Sequence, residues 1–338
     1  MSSRQASYKQ SISLDHHLNQ AKRRLDALRD QRARRSDTLD RIRGIEDLVL
    51  SSDSEEQDER FQDADESQID FSTSSNLINQ PCSGMCPSQH DLTTASKTET
   101  RKYRRFKNRC MRAELLDLCN GLPDGFEEDW LMVGPVPKGQ RCLVLTSQFS
   151  SSSKSCGPGK RLNTLILSRT KAHVLGYFQT VVPLGCILDC IYSEDTRVLW
   201  VLDVLKWKDQ SFIDCESDFR FYWRDTRLQE LEIQSLSSPN RLLVVPVPYV
   251  ATCSKTGTLD LTSALLANNK ETTTVTVWSS IDDSLKKVEI PHEADGLLLC
   301  IKSATYESGD TVLAGWVPLL PNESEQENEV GVGRLNAH

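Results

Sequence analysis

The sequence predicts an α+β protein: a folded domain of mostly antiparallel β-sheets, preceded by a basic N-terminal helix and a disordered acidic linker. Short apolar or alternating runs typical of strands are concentrated between residues 130 and 320. Helical spacing marks residues 14–43, and the charges are segregated along the chain. The hydrophobic share of 38% over 338 residues is low for a chain that packs throughout. Part of the chain is therefore expected to be unfolded, because polar segments bury too little apolar surface to offset chain entropy.

The first segment, residues 1–48, is predicted to be a basic helix. Residues 14–43 contain no proline and no glycine, and their apolar residues recur at helical spacing: Leu14, Leu18, Ala21, Leu25, Leu28, Leu39 and Ile42. Between residues 22 and 43, four aspartates stand against nine bases: Lys22, Arg23, Arg24, Arg29, Arg32, Arg34, Arg35, Arg41 and Arg43. This excess favours a helix that folds on an acidic partner, and a solvated charged helix is the alternative.

The second and last segments, residues 49–100 and 322–338, are predicted to be a disordered linker and a disordered tail. Residues 53–70 hold nine acids and one arginine, a local charge of −8 that equals the formal net charge of the whole chain. Serine, threonine, asparagine and glutamine dominate the rest of the linker, a composition without a core. Cys82, Cys86 and His90 have the spacing of zinc ligands, but a fourth ligand is missing nearby, so no metal site is predicted.

The cysteine content and the hydropathy of the chain indicate the cellular compartment of the protein. The eleven cysteines are an odd number scattered through apolar segments, which indicates free thiols in the cytosol or nucleus. The sequence shows no signal-peptide pattern and no run of 18 apolar residues, so no membrane partner is expected.

The third segment, residues 101–321, is predicted to be the folded domain. It opens on "RKYRRFKNRCMR" (101–112), seven bases without an acid, which suits a nuclear-localisation patch, an RNA-facing surface or a solvated helical turn. Helical patterns cover 112–119, 225–235 and 259–268. The predicted strands are "DWLMVGPVP", "RCLVLTS", "GCILDCIY", "RVLWVLDVLKW", "FRFYW", "RLLVVPVPYV", "TTVTVW" and "GLLLCIKS".

No catalytic constellation emerges from these segments. His173 and His292 are the two histidines of the predicted domain, and no local motif joins either of them to a nucleophile. The carboxylates that could bind a metal are dispersed among strands: Asp189, Asp203, Asp214, Asp218 and Asp295. We therefore predict no catalytic residue, metal or cofactor. Two features suit ligand binding instead, namely Lys154 in a serine-rich loop and the indole of Trp316 in "LAGWVPLLP".

Several strings closely resemble the snurportin family of nuclear import adaptors: "GCILDCIYSEDTRVLWVLDVLKWKDQSFIDCESDFRFYW" (185–223), "EADGLLLCIKSATYES" (293–308) and "LAGWVPLL" (313–320). The resemblance implies a core similar to the nucleotidyltransferase module of capping enzymes and ATP-dependent ligases. In those enzymes the nucleophile motif is K-x-D-G, whereas this chain has "KSCG" (154–157). Trp316 stands where the enzymes carry lysines that grip the triphosphate. Binding without reaction is therefore expected.

The implied ligand is the 2,2,7-trimethylguanosine 5′ cap of spliceosomal small nuclear RNAs. By resemblance Trp316 would stack on the base and Lys154 would contact the phosphates, with Arg141 as a second candidate. The family has a second tryptophan where this chain has Leu118, so Leu115 and Leu118 would line a niche for the N2 methyl groups. This replacement leaves the preference for trimethylated over monomethylated caps open.

The implied partners are capped small nuclear ribonucleoprotein particles, importin-β or a related importin for the basic helix, and an exportin for recycling between nucleus and cytoplasm. Two alternatives remain. The chain would be a GTP:RNA guanylyltransferase or RNA ligase that uses Lys154, or a cap-binding factor without a transport role.

Overall fold

The computed structural model describes residues 16–42, 103–116, 122–149, 162–208, 210–231, 233–235, 240–251, 253–254, 256, 270–279 and 283–319. The helices are α1 (His16–Ile42), α2 (Phe126–Asp129) and α3 (Ser217–Gln229), and a 3-10 turn spans Arg104–Phe106. The early strands are β1 (Met111–Leu115), β2 (Trp130–Pro137), β3 (Gln140–Phe149), β4 (Leu162–Ser168), β5 (Val174–Phe178), β6 (Ile187–Ser193) and β7 (Val198–Trp207). The later strands are β8 (Gln210–Ser211), β9 (Leu243–Pro246), β10 (Tyr249–Val250), β11 (Lys270–Ser279), β12 (Ser284–Ile301) and β13 (Gly309–Pro318).

The strands form two mostly antiparallel sheets. The first sheet has the order β1-β13-β12-β2-β10, and β11 pairs with the N-terminal part of β12. The second sheet has the order β5-β4-β3-β6-β7-β8, and β9 pairs with β7. Two of the strand pairs are parallel, β1 with β13 and β7 with β9. The predicted fold class, α+β with mostly antiparallel sheets, is confirmed.

Alternation along the strands divides the apolar residues into three clusters. An inner core joins the two sheets and contains Leu131, Leu298 and Trp200. A second cluster includes the alternate residues of the second sheet. A third cluster includes the alternate residues of the first sheet, and Ala27 and Leu28 of α1 pack against it. Strands β2, β12 and β13 of the first sheet therefore each contribute to two apolar layers.

Strand β7 shows why the long apolar runs were predictable. All ten residues of Val198–Trp207 are buried, as expected when apolar groups cover both faces of a strand. By contrast, Lys270–Ser279 alternates between exposed and half-buried residues along the β11–β12 hairpin. Both patterns can be recognised in the sequence without knowledge of the partner strands.

Three local predictions were wrong. The helix expected over 112–119 begins as a strand, because residues 111–115 pair with β13. "FRFYW" is helical, since Phe221 and Arg224 turn inwards while Phe219 and Tyr222 stay exposed. The helix expected over 225–235 ends at Gln229, and the one over 259–268 lies outside the described residues.

Helix α1 covers almost the whole predicted range, but its buried face differs from the predicted leucine stripe. The least exposed residues are Gln20, Ala21, Arg24, Ala27, Leu28 and Gln31, whose spacing defines one helical face. Of these, Ala21 and Leu28 belong to the predicted stripe. Leu25 and Leu39 are 64% and 40% exposed. The predicted linker (49–100) and tail (322–338) lie outside the described residues. No helix in the described part of the chain is long and apolar enough to cross a bilayer.

Candidate functional site

Trp316 occupies the face of β13 that is directed towards the inner core. Its register partners are Leu298 on β12 and Leu115 on β1. Leu298 is buried and packs in the inner core, whereas Leu115 lies on the edge strand and is 48% exposed. The indole packs partly against the inner core and is half-buried. Leu115 is exposed on the edge strand β1, and Trp316 is half-buried beside it on β13. Together they form an apolar surface that a flat ligand can reach.

Gly296 makes room for this indole. A Cβ at residue 296 would lie 2.5 Å from Cζ2 and 2.8 Å from Cη2 of Trp316, and 2.4 Å from the carbonyl oxygen of Val317. Two of these contacts are with the ring and one is with rigid backbone, so no rotation of a side chain relieves all of them. Gly296 lies in the string "EADGLLLCIKSATYES", but the sequence alone did not predict this steric role. The backbone at Trp316 is held in turn by the N–H of Leu116, which donates to its carbonyl at 2.9 Å.

Charged groups lie next to Gly296 along β12. The Lys138 ammonium donates to Glu293 at 2.8 Å, and hydrogen bonding to Lys138 lowers the pKa of that exposed carboxylate. Asp295 lies between Glu293 and Gly296, and burial raises the pKa of its carboxyl group above the ordinary value. Asp295 also accepts the Leu319 N–H at its carbonyl oxygen, at 3.1 Å.

Arg141 does not join this surface. Its guanidinium donates to both oxygens of Asp189 at 2.7 Å, and Asp189 is fully buried. The Tyr306 hydroxyl donates to the same carboxylate at 2.7 Å and accepts the Met111 N–H at 2.7 Å. Burial opposes the charge of Arg141, but the Asp189 carboxylate outweighs it and raises the pKa of the guanidinium. The guanidinium is thus engaged with Asp189, and its predicted phosphate contact stays a prediction.

The other predicted cap residues are placed differently. Lys154 and Leu118 lie outside the described residues, so their roles stay predictions. Trp207, another tryptophan of the domain, is only 7% exposed and packs in the second cluster. The structure therefore brings together two predicted site residues, Trp316 and Leu115.

Asp203, another of the carboxylates that could bind a metal, is also engaged internally. Asp203 accepts from Nε and Nη2 of Arg220 at 3.0 and 2.9 Å, and both side chains are almost completely buried. The His292 ring packs against Trp200 in a tilted arrangement, with the ring centroids 4.7 Å apart and an angle of 46° between the planes. Within the described ranges no group of three or more histidine, cysteine or acidic residues is arranged to hold a metal ion.

The basic residues of α1 are distributed over both its docked and its exposed sides. Arg24 is buried and lies over the Trp130 ring, 5.3 Å from the centroid. Arg23, Arg34 and Arg35 form ion pairs with the β domain. The side chains of Lys22, Arg29, Arg32 and Arg41 are exposed, and Arg43 lies outside the described residues.

The comparisons assign this fold to a class. Residues 110–277 match the family model "Snurportin1, m3G cap-binding domain", which makes this part of the chain a domain of the RNA-cap-binding class. That match supports the assignment of the chain to the snurportin family, as its resemblance indicated. Leu115 and Arg141 lie inside the matched range, and Trp316 lies beyond it.

Similar solved structures include two mycobacterial ligases. The ligase domain from M. tuberculosis LigD is 9% identical with a TM-score of 0.35, and the match covers 63% of this chain and 59% of that one. Mycobacterial DNA ligase D complexed with ATP and MES is 10% identical with a TM-score of 0.36, covering 64% and 61%. The chain thus spans about three fifths of the length of these proteins.

Proposed function

We propose that this protein is a nuclear import adaptor that binds the 2,2,7-trimethylguanosine 5′ cap of spliceosomal small nuclear RNAs and links their ribonucleoprotein particles to an importin. The match to an m3G cap-binding domain carries the proposal. In this proposal the β domain holds the cap and α1 binds the importin. A protein that shuttles between nucleus and cytoplasm also needs an exportin for its return.

The surface around Trp316 suits a methylated guanine. Methylation at N7 makes the base cationic, so an indole attracts it by stacking and by a cation–π interaction. Leu115 lies beside Trp316 in register, and its exposed side chain offers apolar contact to the N2 methyl groups. Lys154 is proposed to contact the cap phosphates and Leu118 to extend the apolar niche.

The internal ion pairs support binding rather than catalysis. Covalent nucleotidyl transfer needs a lysine nucleophile and a metal held by carboxylates. Two of the carboxylates that could bind a metal, Asp189 and Asp203, are engaged instead by Arg141 and Arg220. Releasing either carboxylate to a metal would leave a buried guanidinium without its counter-charge. We therefore propose no catalytic residue and no cofactor for this domain.

Substitution of Trp316 by alanine tests the cap site. Loss of stacking costs roughly 1–3 kcal/mol and loss of the cation–π interaction roughly 0.5–2 kcal/mol, so trimethyl-cap affinity should fall at least tenfold. Fluorescence titration with trimethylated and monomethylated cap analogues measures both affinity and preference. Trp278→Ala is the matched control, because Trp278 is an exposed tryptophan on the β11–β12 hairpin. Unchanged affinity in a folded Trp316→Ala protein would exclude this site.

The enzyme alternative has a direct test. The protein is incubated with labelled GTP or ATP and Mg²⁺ or Mn²⁺, and then denatured. We expect no covalent label. A lysine-linked nucleotide that disappears in Lys154→Ala would replace the adaptor function by nucleotidyl transfer.

The importin link is tested separately. The full chain and a chain without residues 1–50 are compared in pull-down by importin-β, with cap binding as the control for folding. The full chain alone should be recovered. Equal recovery of both proteins would remove α1 from importin binding and favour a cap-binding factor without a transport role.

A further inference from the structure

A cleft lies on the outer face of the second sheet. Its lining includes Val182, Trp207 and Leu242, which are buried in the second cluster, whereas Trp316 packs against the inner core. The cleft is therefore separate from the surface around Trp316. Its volume is about 520 Å³, which lies within the range of roughly 300–1,000 Å³ that is typical of small-ligand sites.

One wall of the cleft is the segment 179–183 after β5, which Asn163 on β4 holds in place. The Asn163 amide donates from Nδ2 to the carbonyls of Thr180 and Val182 at 2.9 and 3.2 Å, and its Oδ1 accepts the Thr180 N–H at 2.9 Å. The Thr164 hydroxyl lies 2.8 Å from that of Thr180. Because these bonds form without a ligand, this wall loses little freedom when a ligand binds.

The other wall is the segment 233–235 after α3, which is also held by a paired contact. The Gln234 side chain pairs with the backbone of Val244 on β9: Oε1 accepts its N–H at 2.6 Å, and Nε2 donates to its carbonyl at 2.7 Å. Next to Gln234, Ile233 lines the cleft and is 53% exposed. This isoleucine leaves apolar surface that a ligand can remove from water.

Three cations line the cleft. Among the lining residues that the structure describes, Lys208, Arg227 and Arg241 are basic and Glu230 is acidic. The bases belong to three separate elements, namely the turn between β7 and β8, helix α3, and the segment before β9. Arg241 donates from Nε to the side-chain oxygen of Gln179 at 3.2 Å, a neutral acceptor, and Lys208 is exposed. This excess of positive charge in a concave site attracts anions.

Arg227 also provides a planar group. Its guanidinium lies over the Trp223 ring, 4.3 Å from the centroid, and its Nη1 donates to Glu230 at 2.6 Å. The indole and the carboxylate together hold the guanidinium in one orientation. RNA bases stack on guanidinium planes as well as on aromatic rings, so Arg227 suits a base as well as a phosphate.

A nucleotide combines the groups that this lining suits, because its phosphate is anionic and its base is flat. A phosphorylated side chain presents a single group, which basic residues bind best when they converge on it. Cations from three separate elements suit the repeated charges of a nucleic-acid strand better. The ligand proposed for the β domain is itself the first nucleotide of such a strand, so RNA is present whenever a capped RNA is bound.

We infer that this cleft binds a nucleotide of the single-stranded RNA that follows the cap. Lys208 and Arg241 contact its phosphates, and Arg227 contacts its base beside Ile233. This inference rests on the proposed function, because the cap brings the RNA to the domain. Two linked contacts raise the affinity for capped RNA above that for the cap alone, by an effective concentration that depends on the strand between them.

The test measures binding of a labelled single-stranded RNA, with and without the trimethylguanosine cap, to the full chain. Lys208→Glu and Arg241→Glu are combined in the cleft variant. Lys171→Glu with Lys287→Glu is the matched control, since both lysines are exposed and neither lines the cleft. We expect RNA affinity to fall roughly tenfold in the cleft variant and less than about threefold in the control. Affinity for the cap analogue should not change in either, which also checks folding.

The salt dependence separates phosphate contacts from general attraction. For a single strand, each phosphate contact contributes about 0.7 to the slope of log affinity against log salt concentration. The cleft variant should therefore lower that slope by about 1.4, and Lys208→Glu alone, which keeps the Arg241 contact with Gln179, by about 0.7. The matched control should keep the wild-type slope.

The outcomes separate the cleft from the proposed function. Equal losses of RNA affinity in the cleft variant and the control would overturn the site, as would a wild-type protein that binds capped RNA no more tightly than the cap analogue. Displacement of the RNA by guanosine monophosphate as readily as by an RNA competitor would overturn the strand in favour of a free nucleotide. Displacement by a phosphoserine peptide at lower concentration than by RNA would overturn it in favour of a protein partner. If uncapped RNA shows the specific loss while the cap analogue does not bind, the proposed function fails and the cleft remains an RNA site.

Discussion

Replacement of Arg220 by methionine probes the ion pair that engages Asp203. The Arg220 guanidinium contacts Asp203 through Nε and Nη2, donates from Nη2 to the Ser217 hydroxyl at 3.1 Å, and donates from Nη1 to the Cys215 carbonyl at 2.6 Å. Methionine keeps most of the apolar stem and removes every donor. The Asp203 carboxylate, 2% exposed, would keep the Val204 N–H at 2.7 Å as its described partner.

The expected loss of stability follows from this isolation of a buried charge. Removing one partner of a buried ion pair costs about 3–5 kcal/mol. For a domain of roughly 200 residues, each kcal/mol corresponds to about 2–4 °C. The melting temperature should therefore fall by about 6–20 °C.

Thermal and urea unfolding, followed by tryptophan fluorescence, measure this loss. Arg227→Met is the matched control on the same helix, because Arg227 pairs with Glu230 at the surface and stacks on Trp223. Its loss should cost about 1 kcal/mol or less. Combining Arg220→Met with Asp203→Leu should recover much of the stability, since the uncompensated charge is removed. Equal, small losses for Arg220→Met and Arg227→Met would refute the argument that Asp203 is committed to a structural ion pair.

Three further predictions concern β12 and the buried thiols. Gly296→Ala should lower the free energy of unfolding by about 1–3 kcal/mol through overpacking against Trp316, and it should weaken cap binding. Urea unfolding and cap titration would measure the two effects. A stable variant with normal cap affinity would contradict the tight contact. Because burial raises the pKa of Asp295, its ionised form opposes folding at neutral pH. The wild type should therefore gain stability relative to Asp295→Asn as the pH falls from 7 towards about 4, which melting curves at each pH would show. Melting temperatures of the two proteins that change in parallel with pH would argue against this effect. Burial raises the pKa of Cys186 to about 11 and that of Cys300 to about 12, so iodoacetamide at pH 8 should modify them only after denaturation, which mass spectrometry would detect.

Much of the fold was predictable because it depends on local patterns. The continuous apolar run of β7 and the alternation of β11 identify strands whatever their partners are. The fold class and the family also follow from the sequence, since both rest on whole strings of residues. "FRFYW" failed because four aromatics in five positions satisfy either period, and the inward contacts of Phe221 and Arg224 selected the helix.

The candidate site was predictable only in part. Trp316 was identified as a stacking residue, but its neighbour Leu115 comes from a strand predicted as a helix. Their proximity depends on a parallel pairing between segments about 200 residues apart in sequence. The space that Gly296 leaves for the indole depends on the approach of two backbones. Composition and spacing contain neither relationship.

By itself, the sequence determined where strands and the basic helix form, how the charges are segregated, and which family the chain resembles, because each of these properties belongs to a contiguous stretch. The tertiary structure alone decided which charged groups are engaged. Arg141 and Arg220 neutralise Asp189 and Asp203, and α1 directs Gln31 and Leu28 towards the β domain while Leu25 and Leu39 stay exposed. The physical reason is that ion pairs and hydrogen bonds act between groups brought together from distant parts of the chain, where low polarity makes an unpaired charge costly.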